Sequence, residues 1–295
     1  MTKILCLGDI MLDVTAVVGA PIRQGVETRA SISTQGGGAA ANVASWLAVN
    51  GTPAHLIARV GDDAAGRTVL SELDRYGVSH TNTVVPGAKT GVVVVLVDAL
   101  GERTMFPDSG ANSGLSLADL PPLDDFTAVY LSGYPLVNPQ SRNGALDILR
   151  AVKAHGLPVV FDPSTVGVLL EVGLNVVREW LTLVDVVVLN EEEAHFLSGK
   201  QNPVDAAAEL LKLTSLVVIK RGASGALAQE RGGALVQIPA VETNVVDTTG
   251  AGDAFAAGFI QAWAAHRDLM DSLNNGAAFA AQCVALVGSR PHINI

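Results

Sequence analysis

The chain contains the stretch Val246-Asp247-Thr248-Thr249-Gly250-Ala251-Gly252-Asp253, which leads into a run of small and apolar residues at 254–265. Gly250 and Gly252 allow the backbone to turn tightly and to approach a ligand closely. The run that follows predicts a helix. A helix N-terminus presents unpaired N–H groups and carries partial positive charge. The stretch therefore predicts an anion-binding turn, formed by the amides of residues 250–253.

Asp253 stands at the start of the predicted helix, and the local sequence leaves two interpretations of it open. An aspartate at a helix start commonly caps the helix by accepting hydrogen bonds from its first amides. A carboxylate beside an anion site is also what phosphoryl transfer to a hydroxyl group requires. In this second interpretation Asp253 takes the hydroxyl proton as a general base, while the amides of the turn hold the transferred phosphoryl group.

A second glycine-rich segment, Gln35-Gly36-Gly37-Gly38-Ala39-Ala40-Ala41-Asn42, leads into a predicted helix at 40–49. Asn42 lies in the first turn, where its side chain either offers a donor and an acceptor to a sugar hydroxyl or forms a local hydrogen bond. The spacing Gly36-x-Gly38-x-x-Ala41 also matches a dinucleotide-binding pattern. Residues 31–35 are too polar for the buried strand that this pattern requires, which argues against a nicotinamide-dependent enzyme.

Short apolar runs alternate along the chain with longer segments of helical period. The predicted strands are 4–7, 54–60, 129–131, 159–161, 184–189 and 216–219, and the predicted helices are 40–49, 67–76, 142–155, 176–183 and 204–213. Continuous apolar strands are typical of a parallel sheet that is buried on both faces. The alternation therefore predicts an α/β fold, with a doubly wound, mostly parallel sheet flanked by helices.

Two segments, 13–35 and 90–106, depart from this alternation. Each contains two short candidate strands with no helix between them, at 14–18 and 28–33 and at 91–97 and 102–106. This pattern predicts two antiparallel hairpins that form a small β-sheet inserted on the α/β body. No linker separates two halves of the chain, so we expect a single domain over residues 1–295.

Composition limits the partners that we expect. The chain of 295 residues has a net charge of −10 and no cluster of basic residues, which argues against a nucleic-acid partner. The apolar stretch at 277–287 is shorter than the roughly 18 residues that span a bilayer, so we expect no membrane partner. The chain has two cysteines, Cys6 and Cys283, which do not make a disulfide framework. This predicts a cytoplasmic protein.

The segments 36–51 and 247–258 together resemble the two signatures of the ribokinase-like (pfkB) carbohydrate kinase family. Further segments resemble the family in the same order: Gly8-Asp9 with Asp13, Asn190-Glu191-Glu192-Glu193, and Lys220-Arg221-Gly222-Ala223-Ser224-Gly225. The resemblance covers essentially the whole chain. It implies an ATP-dependent sugar phosphotransferase. The resemblance implies that Asp253 would be the catalytic base and that the amides of Gly250, Ala251, Gly252 and Asp253 would form the anion hole.

The resemblance also implies a sugar site under a lid. Asp13, Gly37, Gly38 and Asn42 would hold the sugar hydroxyls. Arg103 would meet a carboxylate or phosphate of the substrate or lie at the rim of the lid, and the rim is the favoured interpretation. The two hairpins would form the lid, which excludes water so that ATP is not hydrolysed. In some relatives this surface forms a dimer, so a homodimer through the lid is expected.

The nucleotide site implied by the resemblance involves Asn190, Lys220, Gly222 and Gly225. Glu193 would lie near Mg²⁺ and act largely through water, which suits an ion that retains several waters. Lys220 stands where many relatives have threonine, and it would either neutralise nucleotide phosphates or lie at the rim. Asp247 and Thr249 match one half of a monovalent-cation site, so potassium dependence is expected.

The substrate is predicted less narrowly than the reaction. Gly101-Glu102-Arg103, followed by Ser109-Gly110-Ala111-Asn112, resembles the lid strand of ribokinase and the turn after it. This favours transfer to the hydroxymethyl group of a pentose such as ribose. Fructose-type sugars, ketodeoxy sugars and nucleosides remain alternatives. A non-catalytic relative that binds sugar and nucleotide is the alternative from another functional class.

Overall fold

The computed structural model describes residues 2–81 and 84–292, and the predicted domain over 1–295 also includes positions outside these ranges. The strands in the described residues are β1 (Ile4–Leu7), β2 (Met11–Val18), β3 (Ala30–Gly37), β4 (Ala54–Ile57), β5 (Val60–Gly61), β6 (Ser79–His80), β7 (Val84–Val85), β8 (Val92–Val97), β9 (Arg103–Asp108), β10 (Ala128–Ser132), β11 (Val159–Asp162), β12 (Val186–Asn190), β13 (Leu216–Lys220), β14 (Ala226–Glu230) and β15 (Leu235–Ile238). The helices are α1 (Ala39–Val49), α2 (Ala64–Tyr76), α3 (Tyr134–Val137), α4 (Arg142–Ala154), α5 (Val166–Val172), α6 (Leu174–Leu181), α7 (Glu191–Ser198), α8 (Pro203–Leu210), α9 (Ala251–His266) and α10 (Leu269–Val284).

Nine of the described strands form the central sheet, in the order β15-β14-β13-β12-β11-β10-β1-β4-β6. The strands from β13 to β6 pair in parallel, and only β14 and β15 at one edge are antiparallel. One apolar core packs the sheet against α1, α2, α9 and α10, and a second packs the opposite face against α4, α6, α7 and α8. The predicted doubly wound α/β fold is therefore confirmed.

The chain departs from the predicted elements after β4. The predicted strand at 54–60 is broken, because β4 ends at Ile57 and β5 pairs with β7 instead of continuing the central sheet. The backbone N–H of Arg59 donates to Asn112 Oδ1 at 3.2 Å, and its guanidinium pairs with Asp119. The edge strands β14 and β15 were not predicted. β15 is only partly buried and therefore lacks a clear apolar pattern.

A separate sheet of four strands, in the order β3-β2-β8-β9, covers one side of the cavity described below. The hairpins β2–β3 and β8–β9 are antiparallel, as predicted, and β2 joins β8 in parallel. We call β2, β3, β8 and β9 the lid sheet. Its strands alternate side chains between the cavity and the outer surface. No helix in the described ranges is long and apolar enough to cross a membrane.

Candidate active site

The carboxyl ends of the parallel strands meet along one edge of the central sheet, where they face a cavity of about 980 Å³. Five polar residues at or just beyond these ends line it: Asp9 after β1, Ser132 on β10, Asp162 on β11, Asn190 on β12 and Lys220 on β13. The lid sheet forms the opposite wall. The topology therefore brings together charged residues that lie far apart in the sequence.

The predicted anion turn lies at the N-terminus of α9. Gly250 is the N-cap, with a left-handed φ of 75°, and a Cβ there would lie 2.6 Å from the Cα of Ser289. Both constraints require glycine at this position. The helix begins at Ala251, whose amide donates to the carbonyl of Thr248 at 3.3 Å. Within the described residues the amides of Gly252 and Asp253 have no acceptor, so they are available to an anion in the cavity.

Asp253 makes no capping hydrogen bond to α9, so the capping interpretation is wrong. Its Oδ2 instead accepts a hydrogen bond of 2.8 Å from Asn42 Nδ2. Burial raises the pKa of Asp253 to about 7, the charge of Asp162 adds to the rise, and the hydrogen bond from Asn42 opposes it. A carboxyl group with such a pKa can both accept and release a proton near neutral pH.

Asn42 is buried, and its orientation is set by groups on the opposite side from Asp253. Its Oδ1 accepts hydrogen bonds from Arg290 Nε at 3.2 Å and from Ser289 Oγ at 3.3 Å. The amide nitrogen must therefore point toward the carboxylate. Arg290 is itself held by Glu72 at 2.9 Å and by the carbonyl of Gly37 at 2.9 Å. A buried polar network thus positions the side chain that contacts Asp253.

Three of the four residues predicted to hold the sugar line the cavity: Asp13, Gly38 and Asn42. Gly37 is not among the lining residues but lies against Asp13, because a Cβ there would come within 2.4 Å of the Asp13 carboxyl carbon. Gly38 has a φ of 93°, and its Cβ would lie 2.6 Å from the carbonyl oxygen of Asp9. Burial raises the pKa of Asp13 to about 6, although the nearby charge of Arg290 lowers it.

On the nucleotide side, Asn190 and Glu193 both line the cavity and form hydrogen bonds to each other. The backbone N–H of Glu193 donates to Asn190 Oδ1 at 2.8 Å, and that of Asn190 donates to Glu193 Oε2 at 2.8 Å. Burial raises the pKa of Glu193 to about 8, with a further contribution from the charge of Asp162. Gly222 and Gly225 lie outside this cavity, in the turn between β13 and β14.

Lys220 does not lie at the rim. Its Nζ donates to Asp162 Oδ2 at 2.8 Å, and the two side chains are only 16% and 12% exposed. Burial lowers the pKa of Lys220, but the charges of Asp162 and Glu193 outweigh it and raise the pKa. A Cβ at Gly252 would lie 3.2 Å from this Nζ. The ammonium group is therefore next to the anion turn.

Arg103, on β9 of the lid sheet, reaches across the cavity to Asp247 just before the anion turn, and the two form an ion pair of 2.5 Å. Asp247 also accepts hydrogen bonds from the N–H and Oγ1 of Thr249 and from the N–H of Gly288. Burial raises the pKa of Asp247, but these hydrogen bonds outweigh it and lower the pKa to about 2. Hydrogen bonds therefore hold Asp247 and Thr249 together, and the expected potassium site stays a prediction.

Comparison with known proteins identifies the family. The chain matches the pfkB family carbohydrate kinases over residues 1–294. It belongs to that family. It is 31% identical to the ATP-dependent ribose-1-phosphate kinase of Halopiger xanaduensis over 98% of this chain and 93% of the relative. It is 35% identical to the fructokinase of Klebsiella pneumoniae, over 85% of this chain and 84% of the relative.

The fold of this pfkB kinase is shared with solved relatives. The structure of Arabidopsis thaliana ribokinase, complexed with ribose and ATP, superposes with a TM-score of 0.81. The two chains are 28% identical, and the match covers 98% of this chain and 95% of the ribokinase. The family resemblance, the fold class and the predicted enzyme class, a carbohydrate kinase, are therefore confirmed.

The cavity residues of the pfkB kinase that the sequence did not predict as site residues include Asp9, Tyr130 and Asp162. Asp9 and Asp162 each stand at the end of an apolar strand, which is the signal that could have identified them. Tyr130 lies inside β10, and its position in an apolar run is typical of a core residue. Its hydroxyl is buried and has no hydrogen-bond partner among the described residues.

Proposed function

We propose that this kinase transfers the γ-phosphoryl group of ATP to the hydroxymethyl group of a neutral sugar, a pentose such as ribose. The observation that carries the proposal is the buried carboxylate of Asp253, held by Asn42 at 2.8 Å beside the first turn of α9. At this point the residues assigned to the sugar meet the anion turn. The ribose and ATP in the related Arabidopsis ribokinase support the same pair of substrates.

Charge supports a neutral substrate. The sugar end of the cavity carries three carboxylates, those of Asp9, Asp13 and Asp253. The arginines near it are already paired, Arg290 with Glu72 and Arg103 with Asp247. An anionic substituent would therefore meet several acidic groups, and neither of these arginines is free to balance its charge, which is unfavourable. The charge at this end of the cavity therefore favours ribose or a fructose-type sugar over ketodeoxy acids and sugar phosphates.

A nucleoside is the second candidate, because the inner face of the lid sheet is apolar. Val93, Val95 and Met105 all line the cavity on adjacent strands. Such a surface would pack against the flat face of a nucleobase while the sugar occupies the polar end. A nucleoside is also uncharged, so the electrostatic argument applies equally to it.

The mechanism follows from the placement of the groups. Asp253 accepts the proton of the sugar hydroxyl as its oxygen attacks the γ-phosphorus, and the bond from phosphorus to the ADP oxygen breaks. The amides of Gly252 and Asp253 stabilise the charge that develops on the phosphoryl oxygens. The lid sheet keeps water away from the phosphorus, which limits ATP hydrolysis.

Mg²⁺ would enter with ATP. No group of three or more potential metal-ligating side chains forms a metal site in the described parts of the chain. Both carboxylate oxygens of Glu193 accept hydrogen bonds from Asn190, so this residue fits a contact through water rather than direct ligation. This agrees with the preference of Mg²⁺ for waters and substrate phosphates. When bound, the ion would neutralise part of the negative charge of the phosphates.

A homodimer through the lid sheet is part of the proposal. The outer face of the lid sheet carries Val14, Ile32, Val94 and Phe106, of which Ile32 is 67% and Phe106 54% exposed. A second copy placed on this face would remove these side chains from water. Cytoplasmic location and potassium dependence stay predictions.

The test is ADP release with Mg-ATP across pentoses, fructose-type sugars, ketodeoxy acids and nucleosides. We expect strong turnover with a neutral compound and loss of at least about 10²-fold in Asp253→Asn. The matched control is Asp268→Asn, because Asp268 caps α10 through the N–H of Asp271. Near-normal turnover in Asp253→Asn would show that Asp253 is not the general base. Binding of ATP without turnover of any compound would favour the non-catalytic alternative.

A further inference from the structure

Asp162 and Lys220 form a buried ion pair at the ends of two strands that are not neighbours. Asp162 ends β11, Lys220 ends β13, and β12 lies between them in the sheet. Lys220 Nζ donates to Asp162 Oδ2 at 2.8 Å. The pair therefore crosses the end of β12, at the edge of the sheet that faces the cavity.

We propose that Asp162 is a positioning residue that holds the ammonium group of Lys220 beside the anion turn, where Lys220 contacts the phosphoryl group during its transfer. This inference rests on the proposed function and adds two roles to it. In it, Lys220 contacts the phosphoryl group that is transferred, not the rest of the nucleotide. It also gives a role to Asp162, which no sequence pattern marked.

Stability alone does not account for the pair. Withdrawing an ammonium and a carboxylate from water is unfavourable, and a buried ion pair can often be replaced by apolar side chains without loss of stability. Here the two side chains are 16% and 12% exposed and lie next to a polar cavity. A pair of this kind is better explained by what the ammonium does in the cavity.

The position of the ammonium group indicates its ligand. A Cβ at Gly252 would lie 3.2 Å from Lys220 Nζ, and Gly252, Asp253 and Lys220 all line the same cavity, so the ammonium lies next to the first turn of α9. An ammonium has three N–H donors, and Asp162 takes one of them. An oxygen of a phosphoryl group bound at the turn would accept one of the two that remain.

The surrounding charge makes a fixed cation necessary. The acidic side chains of Asp162, Glu193 and Asp253 all raise the pKa of Lys220. A phosphoryl group entering this region would be repelled by those of them that are ionised if the ammonium were absent or displaced. Lysine has a long, flexible side chain, so a second group is needed to hold its charge in one place. Asp162 supplies that constraint.

The test compares Asp162→Asn, Lys220→Met and the double variant in the assay of ADP release. Asparagine keeps an acceptor for the ammonium, so the first variant weakens the positioning without leaving Lys220 unpaired. Rates are measured at about pH 8.5, where a shift in the ionisation of Asp253 has little effect on the rate. Asp185→Asn is the matched control. Its carboxylate pairs with Lys153 at 2.6 Å on a part of the surface that does not line the cavity.

We expect Asp162→Asn to lower kcat about 10-fold and Lys220→Met about 10²-fold, with the KM for sugar nearly unchanged, as for contacts made in the transition state. The double variant should be no slower than Lys220→Met, because Asp162 acts through Lys220. Thermal unfolding checks that each variant is folded.

Three results would overturn the inference: normal kcat in Asp162→Asn, a double variant slower than Lys220→Met, or a rise in the KM for ATP alone in Lys220→Met. In each case the wild-type chain still turns over sugar, so the proposed function stands. A wild-type chain that phosphorylates nothing would overturn both.

Discussion

The side-chain amide of Asn42 donates a hydrogen bond of 2.8 Å to the carboxylate of Asp253, which lies 211 residues further along the chain. The bond joins the first turn of α1 to the first turn of α9. It lowers the pKa of Asp253, while burial raises it to about 7. One contact thus connects the proposed sugar site with the proposed base.

The activity of the wild-type enzyme should depend on pH through Asp253. The base must be ionised to accept a proton, and burial raises its pKa to about 7. We therefore expect kcat/KM for the sugar to be highest above that pH and to fall about 10-fold for each unit below it. A rate that stays level from neutral pH down to about pH 5 would contradict this assignment.

Substitution of Asn42 should move that pH dependence. In Asn42→Ala the carboxylate of Asp253 loses a hydrogen bond to its charged form, so its pKa should rise above about 7. The fall in kcat/KM should then begin at a higher pH than in the wild type. Asn50→Ala is a control, since among the described residues Asn50 Nδ2 bonds only to the carbonyl of Trp46 in the last turn of α1. Identical profiles for wild type and Asn42→Ala would show that the contact does not act on the base.

Asp253→Asn should be more stable than the wild type at alkaline pH. The folded chain holds the Asp253 proton more tightly than the unfolded chain, because the folded pKa is raised to about 7. The contribution of Asp253 to the free energy of unfolding is therefore greatest at low pH and is lost as the pH rises through that value. Thermal unfolding should show a larger gain for Asp253→Asn at about pH 8 than at about pH 5. A lower Tm for the variant at both pH values would contradict this.

Removal of the lid contact should affect substrate binding more than stability. Arg103 is 32% exposed, and partly exposed ion pairs contribute at most about 1 kcal/mol. Arg103→Met should leave Tm nearly unchanged, raise the KM for the sugar several-fold and increase ATP hydrolysis without sugar, because the lid sheet closes less firmly. Arg150→Met is the control, since Arg150 pairs with Asp147 on the exposed face of α4. Equal kinetics in both variants would show that the pair does not hold the lid.

The glycine at the start of the anion turn should not tolerate a side chain. Gly250→Ala places a Cβ 2.6 Å from the Cα of Ser289 at a φ of 75°. We expect a loss of about 1–3 kcal/mol in the free energy of unfolding, measured by urea denaturation, together with loss of turnover. Gly167→Ala is the control for stability alone: Gly167 lines the cavity, but it lies in α5 with nothing within 4 Å of its added Cβ. The control should be as stable as the wild type or slightly more stable.

Local patterns were enough to predict the turn and the glycine-rich segment. Gly250, Gly252 and Asp253 are consecutive or nearly so, and Gly38 and Asn42 lie within one helix start, so short-range rules apply to both. Local patterns do not identify Asp162 as a site residue, because a single aspartate after an apolar run has no partner nearby in the sequence. For the same reason the local sequence permits two interpretations of Lys220, which stands 58 residues later.

The sequence by itself determined the α/β fold, the hairpins of the lid sheet and the anion turn, because each depends on periodicity or on the conformations that glycine allows over a few residues. The tertiary structure decided which distant groups meet: Asn42 with Asp253, Asp162 with Lys220, and Arg103 with Asp247. The physical reason is that strand order and helix packing set these distances. The same contacts set the burial that raises the pKa of Asp253, and neither follows from spacing along the chain.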